Sequence, residues 1–283
     1  MIYLNNKPVE IGHFPDNTQL LKLNIENQFG LNKEAHLDWR YENDEEFVTL
    51  IYVAGHLRSH GIERIRLDLP YCPNARMDRV KDNEDVFTLK YFANVINSLN
   101  FDSVHVLDPH SNVTPALLDR VVVHSPEPYI EKAVYDVYAQ NGGANAEPIM
   151  AFFPDEGASK RYSGMVGMQC AFGIKKRDWK TGKILGLDVS GDVDAIKGRN
   201  ILIIDDLSSY GGTFYFSALK LKELGANKIY LYVTHCEDKI LEGKIFPSGL
   251  IEKVYTTDSI FGEKTQLKLG MSPYADKMEV FAL

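Results

Sequence analysis

Residues 201–213 read ILIIDDLSSYGGT, an order few folds accommodate. Four consecutive apolar residues suit a strand buried on both faces. The run ends in two adjacent carboxylates, Asp205 and Asp206, and then in a polar loop with two glycines. A buried strand that ends in charge is expected of an open parallel sheet, where ligands sit outside the carboxyl ends of the strands. The helical pattern FYFSALKLKELG follows at once. Paired carboxylates suit sugar hydroxyls or a divalent ion. Gly211 and Gly212 let the backbone approach an anion or take positive φ. Ser208, Ser209 and Thr213 add hydroxyls, Tyr210 adds a ring, and the next helix begins with unpaired N–H groups. Taken alone, GGT describes a helix entry equally well, with a hydroxyl cap and an eased turn. Taken with IIDD, the segment suits a phosphate attached to a sugar. It contains neither GxxxxGK[ST] nor GxGxxG, so it is neither a Walker A loop nor a dinucleotide fingerprint.

The rest of the chain alternates in the same manner. Residues 46–61 carry apolar positions at helical spacing and close on a glycine; residues 86–99 form a second amphipathic pattern. IERIRLDLPY and DSVHVLDPHS read as strands, as do KIYLYVTHC and IEKVYTTDSI. Residues 125–147, with Pro126, Pro128, Gly142 and Gly143, read as a looser region between halves. PIMAFFPDEGASKRYSGM restarts the pattern as a strand and a glycine-containing turn, and QCAFGIKKRDWKTGKILGLDV reads as strand, basic loop, strand. The expected fold is α/β, in two domains over 1–134 and 135–283, each a mainly parallel sheet flanked by helices. With 283 residues, the length suits two such domains. A net charge of -8 argues against a general nucleic-acid surface but leaves room for a local anion site. Three cysteines, without a CxxC, suggest neither a disulfide framework nor a thiolate zinc site. No apolar run approaches the roughly 20 residues that span a bilayer, and the N-terminus does not read as a signal peptide; a cytoplasmic location is expected.

Several short segments together resemble ribose-phosphate pyrophosphokinases, the phosphoribosyl-pyrophosphate synthetases. DDLSSYGGT is similar to their DDxxDTAGT loop, which is shared in part with phosphoribosyltransferases. PYCPNARMDR resembles PYxxxARQDR, matching at Arg76 and Asp78, with Met77 in place of glutamine. VLDPHS resembles LDLHS and places His110 at the family histidine. PDEGASKR resembles PDxGxxxR, matching at Asp155 and Gly157. AFGIKKR resembles the IDKRR that opens the catalytic loop, matching at Lys175 and Arg177. Read without the family, Arg76 is a phosphate fork or a surface ion-pair partner, His110 a loop residue, and KKR a solvated basic stretch or a charge balance for a diphosphoryl group.

The resemblance implies two phosphoribosyltransferase-like domains and transfer of the pyrophosphoryl group of ATP to the 1-hydroxyl of ribose 5-phosphate, with Mg2+. It assigns Lys175 and Arg177 to the transferring phosphates, Arg76, Asp78 and His110 to ATP, and His110 and Asp155 to the metal. Asp205, Asp206, Ser208, Ser209, Tyr210, Gly211, Gly212 and Thr213 would hold the ribose and its phosphate. It also implies a homo-oligomer, a dimer or a hexamer. Ser209 and Tyr210 replace the loop's usual aspartate and threonine, which raises ADP-ribose as an alternative acceptor. A plain phosphoribosyltransferase and a non-catalytic partner of a true synthetase are the rival readings.

Overall fold

The computed structural model describes residues 1–25, 33–143, 147–177 and 184–283, without the side chains of residues 175–177 and 184–186. These residues fall into two compact units, Met1–Ser125 and Pro126–Leu283.

The first unit opens with the short strands β1 (Ile2–Leu4), β2 (Lys7–Pro8), β3 (Ile11–His13) and β4 (Gln19–Leu21). It continues through β5 (Glu34–Trp39), α1 (Glu45–Ser59), β6 (Arg64–Asp68), α2 (Thr88–Ser98), β7 (Ser103–Leu107), α3 (Val113–Leu117) and β8 (Val121–His124). The main sheet runs β2-β1-β5-β6-β7-β8, parallel from β5 onward, with β1 antiparallel to β5. Alternate residues of β5 and β6 (Ala35, Leu37, Trp39, Ile65, Leu67) are buried with Leu50, Val53 and Leu57 of α1 and Leu89, Phe92 and Ile96 of α2. The strand period of two and the helical spacing of three and four thus meet in one core.

The second unit contains α4 (Glu127–Gln140), β9 (Met150–Phe153), α5 (Glu156–Val166), β10 (Cys170–Arg177), β11 (Ile184–Gly191), β12 (Ile201–Ser208) and α6 (Gly212–Glu223). It ends with β13 (Ile229–Cys236), α7 (Ile245–Ser248), β14 (Val254–Thr257), α8 (Glu263–Gly270) and β15 (Met278–Phe281). The sheet order is β11-β10-β9-β12-β13-β14-β15, all parallel except β11 against β10. Strand β13 is buried along its whole length, as a central parallel strand covered on both faces must be.

Two sequence expectations need correction. Residues 127–140, read as part of a loose region, form α4; Ile130, Ala133 and Val137 are buried on its inner face. Pro126 and Pro128 lie at its start, where a missing N–H costs nothing. The sequence-based boundary at 134/135 falls inside this helix, whereas the two units divide at 125/126. Residues 156–166, read as a turn, form α5, because Asp155 caps its start and Gly167 ends it at φ 56. Among the described residues no helix is long and apolar enough to cross a membrane.

Candidate functional site

In the second unit the chain moves from β9 to β10 on one side and from β12 to β13 on the other. The crevice between the carboxyl ends of β9 and β12 is therefore the topological switch point, where open α/β sheets place ligands. Asp155 follows β9, and Asp205 and Asp206 lie in the C-terminal half of β12. The three carboxylates are close enough for Asp155 and Asp206 both to act on Asp205. Burial first, and then the Asp206 charge, push the Asp205 carboxyl well above its usual range. Asp206 is 6% exposed and has a cationic neighbour, with Arg161 Nη1 3.5 Å from its Oδ2. Asp155 has a structural task as well: its Oδ1 accepts a hydrogen bond from Ala158 N at 3.1 Å and so caps α5.

The loop after β12 descends into α6. Ser208 is buried, and its carbonyl accepts from Glu237 N at 2.8 Å, tying the loop to the end of β13. Tyr210 is exposed. Gly211 takes φ 75, and a Cβ there would meet Ile245 Cδ1 at 2.2 Å, so backbone conformation and space both require glycine. Gly212, at the first position of α6, has nothing within 4 Å of a built Cβ. Protein packing does not demand that second glycine; an unobstructed row of N–H groups at a helix start is what an anion needs. Ser209 and Thr213 are half-buried beside it. Behind the loop, His235 Nδ1 and Ser259 Oγ share a buried hydrogen bond of 2.8 Å, and Thr257 Oγ1 donates to the Thr234 carbonyl at 2.6 Å. These bonds fix the end of β13, on which the loop rests.

The first unit gathers a second set. Asp78 is 5% exposed, and Arg79 donates to it twice, Nε at 2.7 Å and Nη2 at 3.0 Å. These bonds hold the Asp78 carboxyl down at about 2, against the upward push of burial and with help from Ser111 and His110. His110 is therefore close enough to Asp78 for its charge to act there. It follows a sharp corner in which Asp108 takes φ 41, a left-handed conformation that aspartate tolerates better than most side-chain-bearing residues. Arg76 is exposed on the same turn. Sequence reasoning singled out Arg76 and Asp78 but missed Arg79, although the quoted motif contained it. Arg161 also lay in a quoted segment, without a partner being assigned.

A depressed carboxylate stabilises the fold above its ordinary value of 3.8, and that contribution is lost as the pH falls through about 2. The variant Asp78→Asn is accordingly expected to melt below the wild type at neutral pH. The gap should close between about pH 4 and pH 2 in thermal denaturation curves; a gap independent of pH would assign the effect to packing instead.

The backbone of Lys175 and Arg177 lies on β10, paired antiparallel with Leu187 and Ile184, and the register shifts between Lys176 and Arg177. Their side chains lie outside the described residues. His110 belongs to the first unit and Asp155 to the second. Among the described residues no group of three or more His, Cys, Asp or Glu side chains is arranged to hold a metal ion. The switch-point donors are nonetheless hard carboxylate oxygens, which suit Mg2+. That ion commonly takes one or two protein carboxylates and completes its shell with phosphate and water.

No protein-family model matches the chain. It is 27% identical over 252 residues to a ribose-phosphate pyrophosphokinase of Thermococcus kodakarensis, covering 87% of this chain and 81% of that one. It is 25% identical over 269 residues to the enzyme of the same name from Methanothermobacter thermautotrophicus, covering 93% and 88%. The crystal structure of a phosphoribosylpyrophosphate synthetase from Mycobacterium smegmatis superposes with a TM-score of 0.74 at 20% identity, over 97% of this chain and 86% of that one. The fold is that of the phosphoribosylpyrophosphate synthetases: two mainly parallel sheets flanked by helices.

Proposed function

We infer that this chain, a divergent member of the ribose-phosphate pyrophosphokinase family, transfers the pyrophosphoryl group of ATP to the 1-hydroxyl of ribose 5-phosphate or a related 5-substituted ribose. The observation that carries the reading is the Asp205–Asp206 pair at the switch point, running directly into the open N–H row at Gly211–Gly212. Vicinal ribose hydroxyls are donors, and two carboxylates accept from them. The substituent at the 5-position then falls where Ser208, Ser209, Thr213 and the start of α6 offer N–H and O–H donors.

The 1-hydroxyl oxygen attacks the β-phosphorus of ATP. The bond between that phosphorus and the oxygen bridging to the α-phosphate breaks, AMP leaves with the bridging oxygen, and the hydroxyl proton is lost as the new bond forms. No covalent enzyme intermediate is needed, so catalysis consists of alignment and charge stabilisation. Lys175 and Arg177 are assigned to the transferring phosphates on their motif. Arg76, Asp78 and His110 are assigned to the nucleotide, with Arg79 holding Asp78 in place. His110 and Asp155 are each assigned to Mg2+ on their motifs, and the aspartate pair to the ribose hydroxyls, directly or through a second divalent ion. When bound, the ion neutralises phosphate charge.

A second reading makes ADP-ribose the preferred acceptor. The observation in its favour is Tyr210, a residue 54% exposed at a loop position where the family carries threonine. Both readings are tested by AMP formation from magnesium–ATP with ribose 5-phosphate and ADP-ribose offered separately, the sugar product being identified by mass. A diphosphate added to either acceptor is the expected result. AMP release with neither would favour a non-catalytic relative and sink the proposal.

A further inference from the structure

The segment after β13 folds back onto the loop at the head of α6. It consists of a 3-10 turn, Asp238–Glu242, followed by α7. Two close approaches hold it there. A Cβ on Gly243 would stand 2.0 Å from the Tyr210 carbonyl oxygen, and one on Gly211 would stand 2.2 Å from Ile245 Cδ1. Lys244 lies between these anchors, so its backbone is fixed against the loop. Its Nζ sits 5.7 Å from the centroid of the Tyr215 ring, in the first turn of α6, while the rest of the side chain is exposed. Tyr215 meets Phe216 edge-on at 5.5 Å, and Phe216 is 53% exposed. The loop's own Tyr210 is exposed, near enough to Lys239 for the two to interact.

A phosphate bound at the Gly211–Gly212 turn is served by N–H and O–H donors and needs no aromatic surface. A half-buried ring beneath an ammonium, with an exposed ring in the adjoining loop, suits something different: a planar base joined to the site by a further anionic group. The loop that would hold the first phosphate is the loop against which Lys244 is anchored, so Lys244 and Tyr215 stand beside it.

We propose that Tyr210, Tyr215 and Lys244 form an outer subsite that holds the nucleoside diphosphate tail of a 5-substituted ribose acceptor. Lys244 meets the distal phosphate, and the tyrosine rings stack on the base. The proposal rests on the pyrophosphoryl-transfer reading above and names the acceptor class which that reading leaves open.

The test uses the full chain with magnesium–ATP and compares kcat/KM for ADP-ribose and ribose 5-phosphate in the wild type, Tyr215→Leu, Lys244→Met and Lys244→Arg. Calorimetric titration with ADP-ribose alone runs in parallel. The expected result is a roughly tenfold fall in the ratio of ADP-ribose to ribose 5-phosphate efficiency for the Leu and Met variants. The fall should lie in KM, weaker binding in the titration should accompany it, and Lys244→Arg should recover part of it. An unchanged ratio overturns the subsite, and so does a wild type that uses ribose 5-phosphate while ADP-ribose neither binds nor reacts. If neither acceptor yields AMP, the transfer reading fails. The titration still decides the subsite: ADP-ribose binding that Lys244→Met weakens supports it, and absence of binding overturns it.

Discussion

Replacing Asp205 by asparagine is expected to remove nearly all AMP formation while making the ligand-free protein more stable. The two effects share one cause. On the proposed reading Asp205 meets ribose hydroxyls and a cation, and without them burial and the Asp206 charge oppose its ionisation. A carboxyl whose folded value is raised binds its proton more tightly folded than unfolded. Stability therefore falls as pH rises from the ordinary carboxylate range through the raised value. Asparagine does not titrate and avoids that loss. Above the raised value, Asp205→Asn should melt higher than the wild type. The difference should vanish below about pH 4, where the wild-type carboxyl is protonated in both states. Activity should drop about 10²–10³-fold, as when one well-placed polar group is removed from a transition-state site. Asp206→Asn should lose activity to the same degree and move stability the other way, because it strips the Arg161 guanidinium of a buried carboxylate neighbour. Melting curves across pH, read beside AMP release, separate the two aspartates; an Asp205→Asn variant that is less stable at every pH would show that this carboxylate is structural.

The sequence made much of this arrangement legible, for a physical reason. Strands β12 and β13 are buried on both faces, so their apolar runs have few other uses, and α1 and α2 carry their buried residues at helical spacing. The helices α4 and α5 were missed because proline and glycine were read as breakers. Pro126 and Pro128 stand in a first turn, where the N–H is unpaired in any helix, and Gly157 follows a capping aspartate. The Asp155 motif was legible as a family resemblance, but the capping role of Asp155 was not, since a cap is recognised only once the helix behind it is known. Tertiary partners were the least accessible. Arg161 reaches Asp206 only because α5 packs beside β12, and Lys244 meets Tyr215 only because the segment after β13 turns back over α6. Spacing along the chain encodes neither meeting.

Gly243→Ala should be as damaging to activity as loss of a site carboxylate, although Gly243 carries no functional group. Its φ is -80 and its ψ -172, a conformation open to any residue, so a methyl group there brings no backbone strain. What it brings is a collision: the new Cβ would lie 2.0 Å from the Tyr210 carbonyl oxygen and 3.0 Å from its carbonyl carbon. Both atoms are backbone, so no rotamer change relieves the contact. Either the turn at 238–243 lifts away from the loop, uncovering Ile245, or the loop shifts by more than an ångström, carrying the Gly211–Gly212 N–H row with it. A displacement of about 1 Å at a positioned group is enough to cost about 10²-fold in rate. Overpacking of this kind typically costs about 1–3 kcal/mol in stability as well. Gly212→Ala provides the internal comparison, because nothing lies within 4 Å of its Cβ and its helical position tolerates alanine. Gly212→Ala should therefore keep or raise the melting temperature while raising KM for the acceptor, since the methyl group fills space reserved for the ligand. Gly243→Ala should lower the melting temperature and kcat together. Indistinguishable behaviour of the two variants in melting and kinetics would mean that the loop does not depend on the turn packed against it.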